Sequence, residues 1–499
     1  MSARRGGDPE ARPSLAPNRQ DDNSSGSVTS SGGVVYRQRR ITYWDNYVRK
    51  TSSRYYHRRL GEIYRSIVPP GQRVLELGCG GGDLLAAVEP SFGVGVDFSS
   101  RMISDAARRH PALHFIVGDV HEICLRKQFD YIVLSDLVNE LWDVQTVIER
   151  IIPVCSPDTR IIINTYSRMW ELPLAIVRWL RLANPVLSQN WLTREDLENM
   201  LSLAGFETIR AWPELLCPLP IPPVNSIFNR CLVKIPPISL GALANFLIAR
   251  PDPGEARWEA EPLVSVIVPA RNEAGNVEDV FRRVPEMGAG TEIVFVEGHS
   301  RDDTFAAIER ARLKFPQRRC QLFRQTGLGK GDAVRLGFER ASGEVLMILD
   351  ADLTVAPEDL PRFYQALRSR RGEFINGVRL VYPMENQAMR FLNLIGNKFF
   401  SLAFSWLLGQ KVKDTLCGTK VLSRRHYLQI ARNRSYFGDF DPFGDFDLLF
   451  GAARLNLRIV DMPIRYRERK YGQTNISRWR HGWLLLRMVA YGTARMKLI

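Results

Sequence analysis

Short apolar runs alternate with amphipathic segments in two long stretches of the chain. The first stretch extends from Arg73 to about Trp212 and the second from Leu263 to about Tyr466. Strand-length runs separated by helical patterns are typical of parallel sheets covered by helices. We therefore predict an α/β fold with two domains. The predicted strands lie at 73–77, 93–96, 114–117 and 131–134 in the first stretch, and at 263–269, 292–296 and 344–349 in the second.

The same pattern divides the chain into four segments. Residues 1–35 are rich in Ser, Gly, Pro and Arg and poor in large apolar side chains, which predicts a disordered tail. Residues 36–212 form the first predicted domain, and residues 262–499 form the second, which ends in a basic segment. Between them, residues 213–261 are Pro-rich and are predicted to be a linker that contains one short apolar helix at 239–250.

Basic residues are concentrated at both ends of the chain. In total, 68 Lys and Arg stand against 54 Asp and Glu. Up to Arg59 there are 12 basic and 5 acidic residues, and from Arg454 onward there are 11 and 2. Such ends suit phosphates, nucleic acid or an anionic membrane surface. No nucleic-acid-binding motif accompanies the charge, so we expect no nucleic-acid partner.

Composition excludes several classes of protein. With 45% hydrophobic and 24% charged residues, the chain is neither a disordered protein, a collagen nor a disulfide scaffold. Its seven scattered cysteines form no metal-binding cluster and predict reduced thiols. Neither a signal peptide nor an ordinary transmembrane helix is expected. We predict a cytoplasmic protein, with peripheral contact at the inner face of the membrane as an added expectation.

A glycine loop follows the first predicted strand. The sequence GCGGGD begins at Gly78, directly after Glu76 and Leu77, and a helix is expected to follow it. Glycines allow a sharp turn and the close approach of a ligand to the backbone. The next strand ends at Asp97, where a carboxylate can accept both hydroxyl protons of a ribose. A dinucleotide site and a purely structural turn are the alternatives, and for Asp119, at the end of the third strand, a helix N-cap is the alternative.

These motifs resemble the class I S-adenosylmethionine-dependent methyltransferases, which have a Rossmann-like fold. The resemblance rests on VLELGCGGGDLL, VGVDFSSRMI, VGDV and NWLTREDLENMLSLAGFETI and covers about Ser66 to Arg210. It implies that S-adenosylmethionine is the cofactor and that a methyl acceptor exists, which the sequence does not identify. The cofactor-binding residues would be Glu76, Gly78, Gly80, Asp97 and Asp119. Asp136, Glu140 and His121 are candidates for a base.

Acidic and basic motifs follow the strands of the second stretch. The segment VIVPARNE ends the first strand, and FVEGHSRDDT ends the second. In GLGKGDA, Lys330 lies at a predicted helix N-terminus, where phosphate charge is favourable. The third strand ends in Asp350-Ala351-Asp352. Two carboxylates at this spacing can share one Mg²⁺ or Mn²⁺ that also binds a diphosphate.

This second set of motifs resembles family 2 glycosyltransferases of the GT-A fold, in the polyprenyl-phosphate (dolichol-phosphate mannose synthase-like) branch. The resemblance spans about Leu263 to Gly482. It implies a nucleotide sugar, GDP- or UDP-linked, as donor and a metal ion at Asp350 and Asp352. It also implies two further groups of site residues. The donor would be bound by Pro269, Arg271, Glu273, Glu297, Lys330 and Asp350, whereas Arg379, Lys420 and Arg469 would bind the diphosphate or the acceptor phosphate.

Two departures from the family pattern affect the donor. The usual Asp-Asp-Gly-Ser is Glu297-Gly298-His299-Ser300, and Thr354 replaces a frequent Gln. The acidic cluster FGDFDPFGDFD at 437–447 supplies Asp445 and Asp447 as candidate catalytic residues, and Asp414 is a third. A solvated turn is the alternative for this cluster.

The apolar segment Phe391–Gly409 is predicted to be an interfacial helix near the acceptor site, with a buried core helix as the alternative. The leading interpretation is a bifunctional enzyme. Its second domain would transfer a sugar, with inversion, to a polyprenyl phosphate or related lipid, and its first domain would methylate an unidentified acceptor. Two alternatives are a glycan hydroxyl as sugar acceptor and a first domain that serves only as a binding module.

Overall fold

The computed structural model describes residues 31–45, 51–180, 187, 189–254, 258, 260–379, 391–434, 446–465, 471 and 478–498. Within them lie two seven-stranded sheets. The α/β class predicted from the apolar pattern is confirmed. The first sheet contains β1 (Arg73–Leu77), β2 (Phe92–Asp97), β3 (His114–Val117), β4 (Phe129–Ser135), β5 (Cys155–Tyr166), β6 (Phe206–Glu214) and β7 (Ala244–Pro251). The second contains β8 (Val264–Ala270), β9 (Thr291–Glu297), β10 (Arg319–Arg324), β11 (Val345–Ile348), β12 (Phe374–Val378), β13 (Lys420–Ser423) and β14 (Ile459–Pro463).

Helices cover both faces of each sheet. Those of the first half are α1 (Ser31–Asp45), α2 (Thr51–Ile67), α3 (Asp83–Ala87), α4 (Ser100–Arg109), α5 (Val144–Arg150), α6 (Glu171–Trp179), α7 (Arg194–Leu203) and the short α8 (Val224–Ser226). Those of the second half are α9 (Val277–Arg283), α10 (Thr304–Lys314), α11 (Lys330–Arg340), α12 (Leu360–Arg368), α13 (Phe391–Leu408), α14 (Arg424–Arg432), α15 (Phe446–Arg454) and α16 (Arg478–Met496). No helix among the described residues is both long enough and apolar enough to cross a membrane.

The first sheet has the strand order β3-β2-β1-β4-β5-β7-β6. Strands β1 to β5 pair in parallel, and β7 is antiparallel to both of its neighbours. Successive residues of a strand point to opposite faces, so Val74 and Leu75 enter two different apolar cores. Both faces are therefore buried, which explains why β1 lacks an alternating pattern.

The second sheet has the order β10-β9-β8-β11-β13-β12-β14. Here β13 is the reversed strand, antiparallel to β11 and β12. Strands β8, β9, β10 and β11 run in parallel, so the ends of β8, β9 and β11 meet at one edge. The motifs that the sequence predicts to bind the donor lie at this edge.

The linker predicted over 213–261 is wrong in its central part. Residues 244–251 form β7, which lies between β5 and β6 of the first sheet. The helix predicted at 239–250 is thus mainly a strand. Because β7 is buried on both faces, its sequence ANFLIARP has no alternation that would distinguish a strand from an apolar helix.

The N-terminal boundary also needs correction. Helix α1 begins at Ser31, so residues 31–35 of the predicted tail are helical. The hydroxyl of Tyr36 donates to the carbonyl of Glu140 at 3.1 Å, and Arg40 pairs with the Glu140 carboxylate. The rest of the predicted tail, 1–30, lies outside the described residues.

Buried charges join the two halves. Arg160 on β5 donates two 2.7 Å hydrogen bonds to the carboxylate of Glu373, just before β12. Arg250 on β7 lies 3.4 Å from the same carboxylate. Asn456, after α15, makes three such contacts. Its backbone carbonyl accepts from Arg160 Nε, its side-chain Oδ1 accepts from Arg210, and its side-chain Nδ2 donates to the carbonyl of Ile67. Since all of these contacts cross between the sheets, the two domains share one polar buried interface.

Candidate active sites

The glycine loop of the first domain turns from β1 into α3. Gly78, Gly80 and Gly82 have φ values of +72°, +49° and +73°, a conformation that favours glycine. A Cβ at Gly82 would also lie 2.6 Å from the ring of Phe115. The loop is therefore restricted to glycine by its backbone as well as by its neighbours.

Asp97 ties this loop to the end of β2. Its two oxygens accept from the amides of Gly80 and Ser99, each at 2.9 Å. Burial raises the pKa of Asp97, and these amide hydrogen bonds oppose the rise. The structure thus brings together the glycine loop and the carboxylate that the sequence assigned to the ribose.

Glu76 offers an unsatisfied acceptor beside the loop. The residue is buried, and its Oε2 has no hydrogen-bond partner in the described part of the chain. Burial raises the pKa of its carboxyl well above the usual range. An orphaned buried oxygen fits a ligand that supplies hydrogen-bond donors, as the amino and hydroxyl groups of S-adenosylmethionine would.

Asp119 follows β3 and contacts His121. Its Oδ1 accepts from the amide of His121 at 3.0 Å and lies 2.7 Å from Nδ1 of that ring. The chain after Asp119 forms a turn and not a helix, so the N-cap alternative does not hold.

A buried polar network lies at the end of β4, and sequence reasoning found only part of it. Asp136 accepts from the hydroxyl of Tyr56 at 2.8 Å and from Asn164 at 2.5 Å, and Tyr64 donates to Asn164 at 2.6 Å. Burial raises the pKa of Asp136 to about 7. A carboxyl that titrates near neutral pH can exchange a proton with an acceptor. Tyr56 and Tyr64 come from α2, outside the motifs, and an apolar helical pattern gave no sign of their role.

The motifs predicted to bind the donor lie on neighbouring strands of the second domain. Ala270 at the end of β8 pairs with Glu297 at the end of β9. Glu297 is buried, and its Oε1 accepts from the amide of Ser300 at 2.5 Å. Glu273 is buried too and accepts from Asn276 at 2.7 Å. These two carboxylates, with the partly buried Pro269 and the exposed Arg271, surround the loop that follows β8.

The predicted metal-binding aspartates follow β11. Lys330, the first residue of α11, places its Nζ 2.6 Å from Asp350 Oδ1. A Cβ at Gly418 would collide with both of these groups. Asp352 accepts from the amide and the hydroxyl of Thr354 at 3.1 and 2.8 Å. Carboxylate oxygens are the donors that Mg²⁺ and Mn²⁺ prefer, so this set of residues fits a divalent ion beside a phosphate-binding lysine.

Arg379 and Asp414 form a two-bond pair beyond β12. The guanidinium donates to both carboxylate oxygens, at 2.7 and 2.9 Å, and the Arg379 amide donates at 3.1 Å. Burial would raise the pKa of Asp414, but the Arg379 guanidinium outweighs it and lowers this pKa. Asp414, predicted as a catalytic residue, therefore holds Arg379 in position.

Lys420 does not fit its predicted role. The side chain is fully buried on β13, where Nζ donates to Asn376 at 2.7 Å and also to the carbonyl of Cys417. A fully buried ammonium with two such acceptors has no access to a substrate phosphate. The sequence motif did not reveal the burial of Lys420, because the direction in which this side chain points depends on how β13 pairs in the sheet.

The acidic cluster is only partly described. Asp447 lies in the first turn of α15, buried, 2.9 Å from Arg434 and 3.4 Å from Arg335. Asp445 and Arg469 lie outside the described residues, so their predicted roles stay predictions. Tyr471, from the same late motif as Arg469, packs against the loop after β8: a Cβ at Gly275 would lie 2.7 Å from its ring.

A further group of possible metal ligands lies at the domain interface. Oxygen or nitrogen atoms of Asp158, Glu373 and His426 lie within 4.8 Å of one another. Arg160 already neutralises Glu373, and Arg425 pairs with Asp158. The guanidinium groups therefore supply the positive charge that a metal ion would bring.

Comparisons with known proteins agree with this division. Residues 265–434 match the glycosyl transferase family 2, and residues 45–211 match the methyltransferase domain family. A dolichol-phosphate mannosyltransferase of Pyrococcus furiosus is 36% identical over 21% of this chain and 30% of its own length. An undecaprenyl-phosphate 4-deoxy-4-formamido-L-arabinose transferase of Pseudomonas aeruginosa is 32% identical over 44% of this chain and 61% of its own length.

The chain thus spans less than two thirds of either relative. Among solved structures, glucosyl-3-phosphoglycerate synthase of Mycobacterium tuberculosis, in complex with Mn²⁺, UDP and glucosyl-3-phosphoglycerate, is 19% identical. The match covers 47% of this chain and 80% of that one, with a TM-score of 0.36. From the family matches, this chain carries a methyltransferase domain followed by a glycosyltransferase domain of family 2.

Proposed function

We propose that the second domain transfers a sugar from a GDP- or UDP-linked donor to a polyprenyl phosphate or related lipid, with inversion at the anomeric carbon. The observation that carries this proposal is the grouping of Lys330 and Asp350 under the Gly418 backbone, at the edge where β8, β9 and β11 end. The acceptor class is supported by the names of the two relatives, a dolichol-phosphate and an undecaprenyl-phosphate transferase.

In this reaction an oxygen of the acceptor phosphate attacks the anomeric carbon. The bond from that carbon to the nucleoside diphosphate breaks, and its electron pair leaves with the diphosphate. A divalent ion held by Asp350 and Asp352 would neutralise the charge of the leaving group. Lys330 would bind diphosphate oxygens, and Arg379, fixed by Asp414, would bind phosphate in a two-bond geometry. A phosphate is already ionised at neutral pH, so no strong base is required.

A glycan hydroxyl is the second candidate acceptor, and it would need a carboxylate as base. Among the described candidates, Asp414 is paired with Arg379, and Asp447 lies beside two arginines. The Arg379 guanidinium lowers the pKa of Asp414 and makes that carboxylate a weak base, and both arginines beside Asp447 contact its Oδ2. The described residues therefore favour the phosphate acceptor.

We also propose that the protein binds membranes peripherally through α13. One face of this helix is buried at Phe404, Leu407 and Leu408, whereas Phe399 and Leu402 on the other face are 54% and 73% exposed. The buried face agrees with the core-helix alternative for 391–409, and the exposed apolar side chains support an interfacial role for the other face. A lipid-linked acceptor would be reached from such a helix without a membrane span.

The donor and acceptor can be identified in one screen. Release of nucleoside diphosphate should be measured for a panel of GDP- and UDP-sugars, with and without polyprenyl phosphate, and with Mg²⁺, Mn²⁺ or EDTA. Asp350→Asn with Asp352→Asn should abolish metal-dependent release, whereas Glu309→Gln, at an exposed position on α10 of the same domain, should retain it. Retained activity in the double variant would exclude these aspartates as the metal site. Turnover with a glycan alone would favour the second candidate acceptor.

For the first domain we propose binding of S-adenosylmethionine and methyl transfer to an acceptor whose proton is taken by Asp136. The unpartnered Glu76 oxygen and the Asp97–Gly80 contact support the cofactor assignment. Isothermal titration with S-adenosylmethionine should show binding that Asp97→Ala weakens and Asp105→Asn, half-exposed on α4, leaves intact. No binding by the unmodified protein would favour a domain that serves only as a scaffold.

A further inference from the structure

A cleft between the two domains gathers five basic side chains around one acidic side chain. We call it the interdomain cleft. Its charged lining residues are Arg59, Arg210, Lys234, Glu214, Arg454 and Lys497. They come from α2, β6 and the chain after it in the first domain, and from the ends of α15 and α16 in the second. The cleft is open to solvent, and its cavity volume is about 60 Å³.

Two of these guanidinium groups are incompletely satisfied. Arg59 is 3% exposed and donates to Glu62 at 2.9 Å, but its Nε has no hydrogen-bond partner among the described residues. Arg210 donates to Asn456 at 2.8 Å and lies over the ring of Trp212, and its Nε is likewise unpartnered in the part of the chain that is described. A buried charged donor without an acceptor is costly, so each Nε calls for an acceptor that the described residues do not supply.

The single carboxylate of the cleft cannot balance this charge. Glu214 is already paired with Lys234. Lys497, at the end of the chain, has its Nζ 5.6 Å from the ring of Trp406. Burial and then the repulsion from Arg210 and Lys234 lower the pKa of Lys497 to about 7, and burial lowers the pKa of Arg210 to about 10. Buried cations that repel one another become stable when an anion is placed between them.

We propose that the interdomain cleft binds an oxyanion of the phosphate or diphosphate class, either free or as the headgroup of a lipid. Guanidinium groups match the oxygen geometry of phosphate, and two ammonium groups supply further donors. None of these side chains belongs to the S-adenosylmethionine site or to the donor site described above, so the ligand would be additional to both substrates. Because each domain contributes basic residues, the bound anion would join the two domains.

Sodium pyrophosphate, added to the full-length protein at constant ionic strength, is the probe that tests this site. We expect saturable binding by isothermal titration and a rise in the thermal unfolding temperature that sodium chloride does not produce. Lys497→Met should weaken this binding roughly tenfold, the usual order for one charge-assisted hydrogen bond. Lys411→Met is the matched control, since Lys411 is exposed on the loop after α13 and lies outside the cleft.

A second measurement separates an anion site from a structural role. Without pyrophosphate, Lys497→Met should unfold at the same temperature as the unmodified protein or higher, because it removes a repelling charge. A lower temperature with unchanged pyrophosphate affinity would overturn the proposal. So would absence of saturable binding, or equal weakening by Lys411→Met, which would indicate ionic screening alone.

The two sources of phosphate are distinguished by competition. Phosphatidylcholine vesicles with and without phosphatidic acid should be added to the protein saturated with pyrophosphate. Displacement that depends on phosphatidic acid and is lost in Lys497→Met assigns the cleft to a lipid headgroup. Saturable pyrophosphate binding that vesicles leave unchanged assigns it to a free phosphorylated ligand.

Discussion

Replacing Glu373 by Gln should strongly destabilise the contact between the two domains. The Glu373 side chain is 7% exposed and accepts two 2.7 Å hydrogen bonds from Arg160, while Arg250 lies 3.4 Å away. Gln keeps the size of the side chain but cannot neutralise either guanidinium. Arg160 would then lose its buried counter-charge, and Arg250 would keep only its pair with Glu207.

Two arguments give the size of the destabilisation caused by Glu373→Gln. Burial alone would raise the pKa of Glu373, but Arg160 leads the opposing charges and the result is a pKa lowered to about 2 from 4.5. That shift corresponds to about 3 kcal/mol between the ionised and the neutral carboxyl. Breaking a buried pair by removing one partner costs roughly 3–5 kcal/mol. We therefore expect the variant to lose about 3 kcal/mol of unfolding free energy at neutral pH.

Urea unfolding, followed by tryptophan fluorescence and by circular dichroism, measures this loss. If the domains unfold together in the unmodified protein, the two signals coincide, and Glu373→Gln should separate them or shift both to lower urea. Because the folded-state pKa is lowered, the stability is present above the unfolded value of about 4.5 and is lost as the pH falls through about 2. Glu198→Gln removes the half-exposed pair with Arg194 and should cost less than about 1 kcal/mol. Equal effects of the two variants would refute the reasoning.

Three further predictions concern the sites. Burial raises the pKa of Asp136 to about 7, so its protonated form contributes stability that is complete below about pH 4 and is lost as the pH rises through 7. The thermal unfolding temperature of Asp136→Asn should lack this decline with pH, and an unchanged decline would contradict the prediction. Arg379→Met should raise the KM for the phosphate acceptor at least about tenfold while changing the KM for the nucleotide sugar much less, since the contact with the acceptor phosphate is lost together with the buried pair to Asp414. Equal changes in the two KM values would place Arg379 elsewhere. Phe399→Glu with Leu402→Glu should abolish flotation with anionic vesicles at low salt, whereas Leu313→Glu, at an 84% exposed position on α10, should not. If the double variant still floats, or if the unmodified protein does not float, α13 is excluded as the membrane contact.

Local patterns predicted the features that depend on consecutive residues. The glycine loop, Asp97 and Asp350 each follow a predicted strand, and parallel strands bring their ends to one edge, so their positions could be inferred without a structure. The capping box of Thr193 and Asp196 likewise begins the helix that the methyltransferase resemblance implied.

Features that depend on distant pairing were missed. Lys420 and Asp414 belong to one motif, yet Lys420 is buried on β13 and Asp414, in the loop before that strand, holds Arg379. The network of Asp136 draws Tyr56 from 80 residues away. A single sequence holds no signal for either contact, since both arise only when separate elements pack.

The position of β7 has a consequence for synthesis of the chain. This strand fills the gap between β5 and β6 but is the last of the three to leave the ribosome, after the Pro-rich segment. Until it arrives, β5 has an open edge and β6 has no partner in the sheet, a state that invites pairing with other chains. The first domain therefore completes its folding only near residue 251, close to where the second begins, and a fragment cut at Trp212 would keep every methyltransferase motif yet lack the strand that closes the sheet.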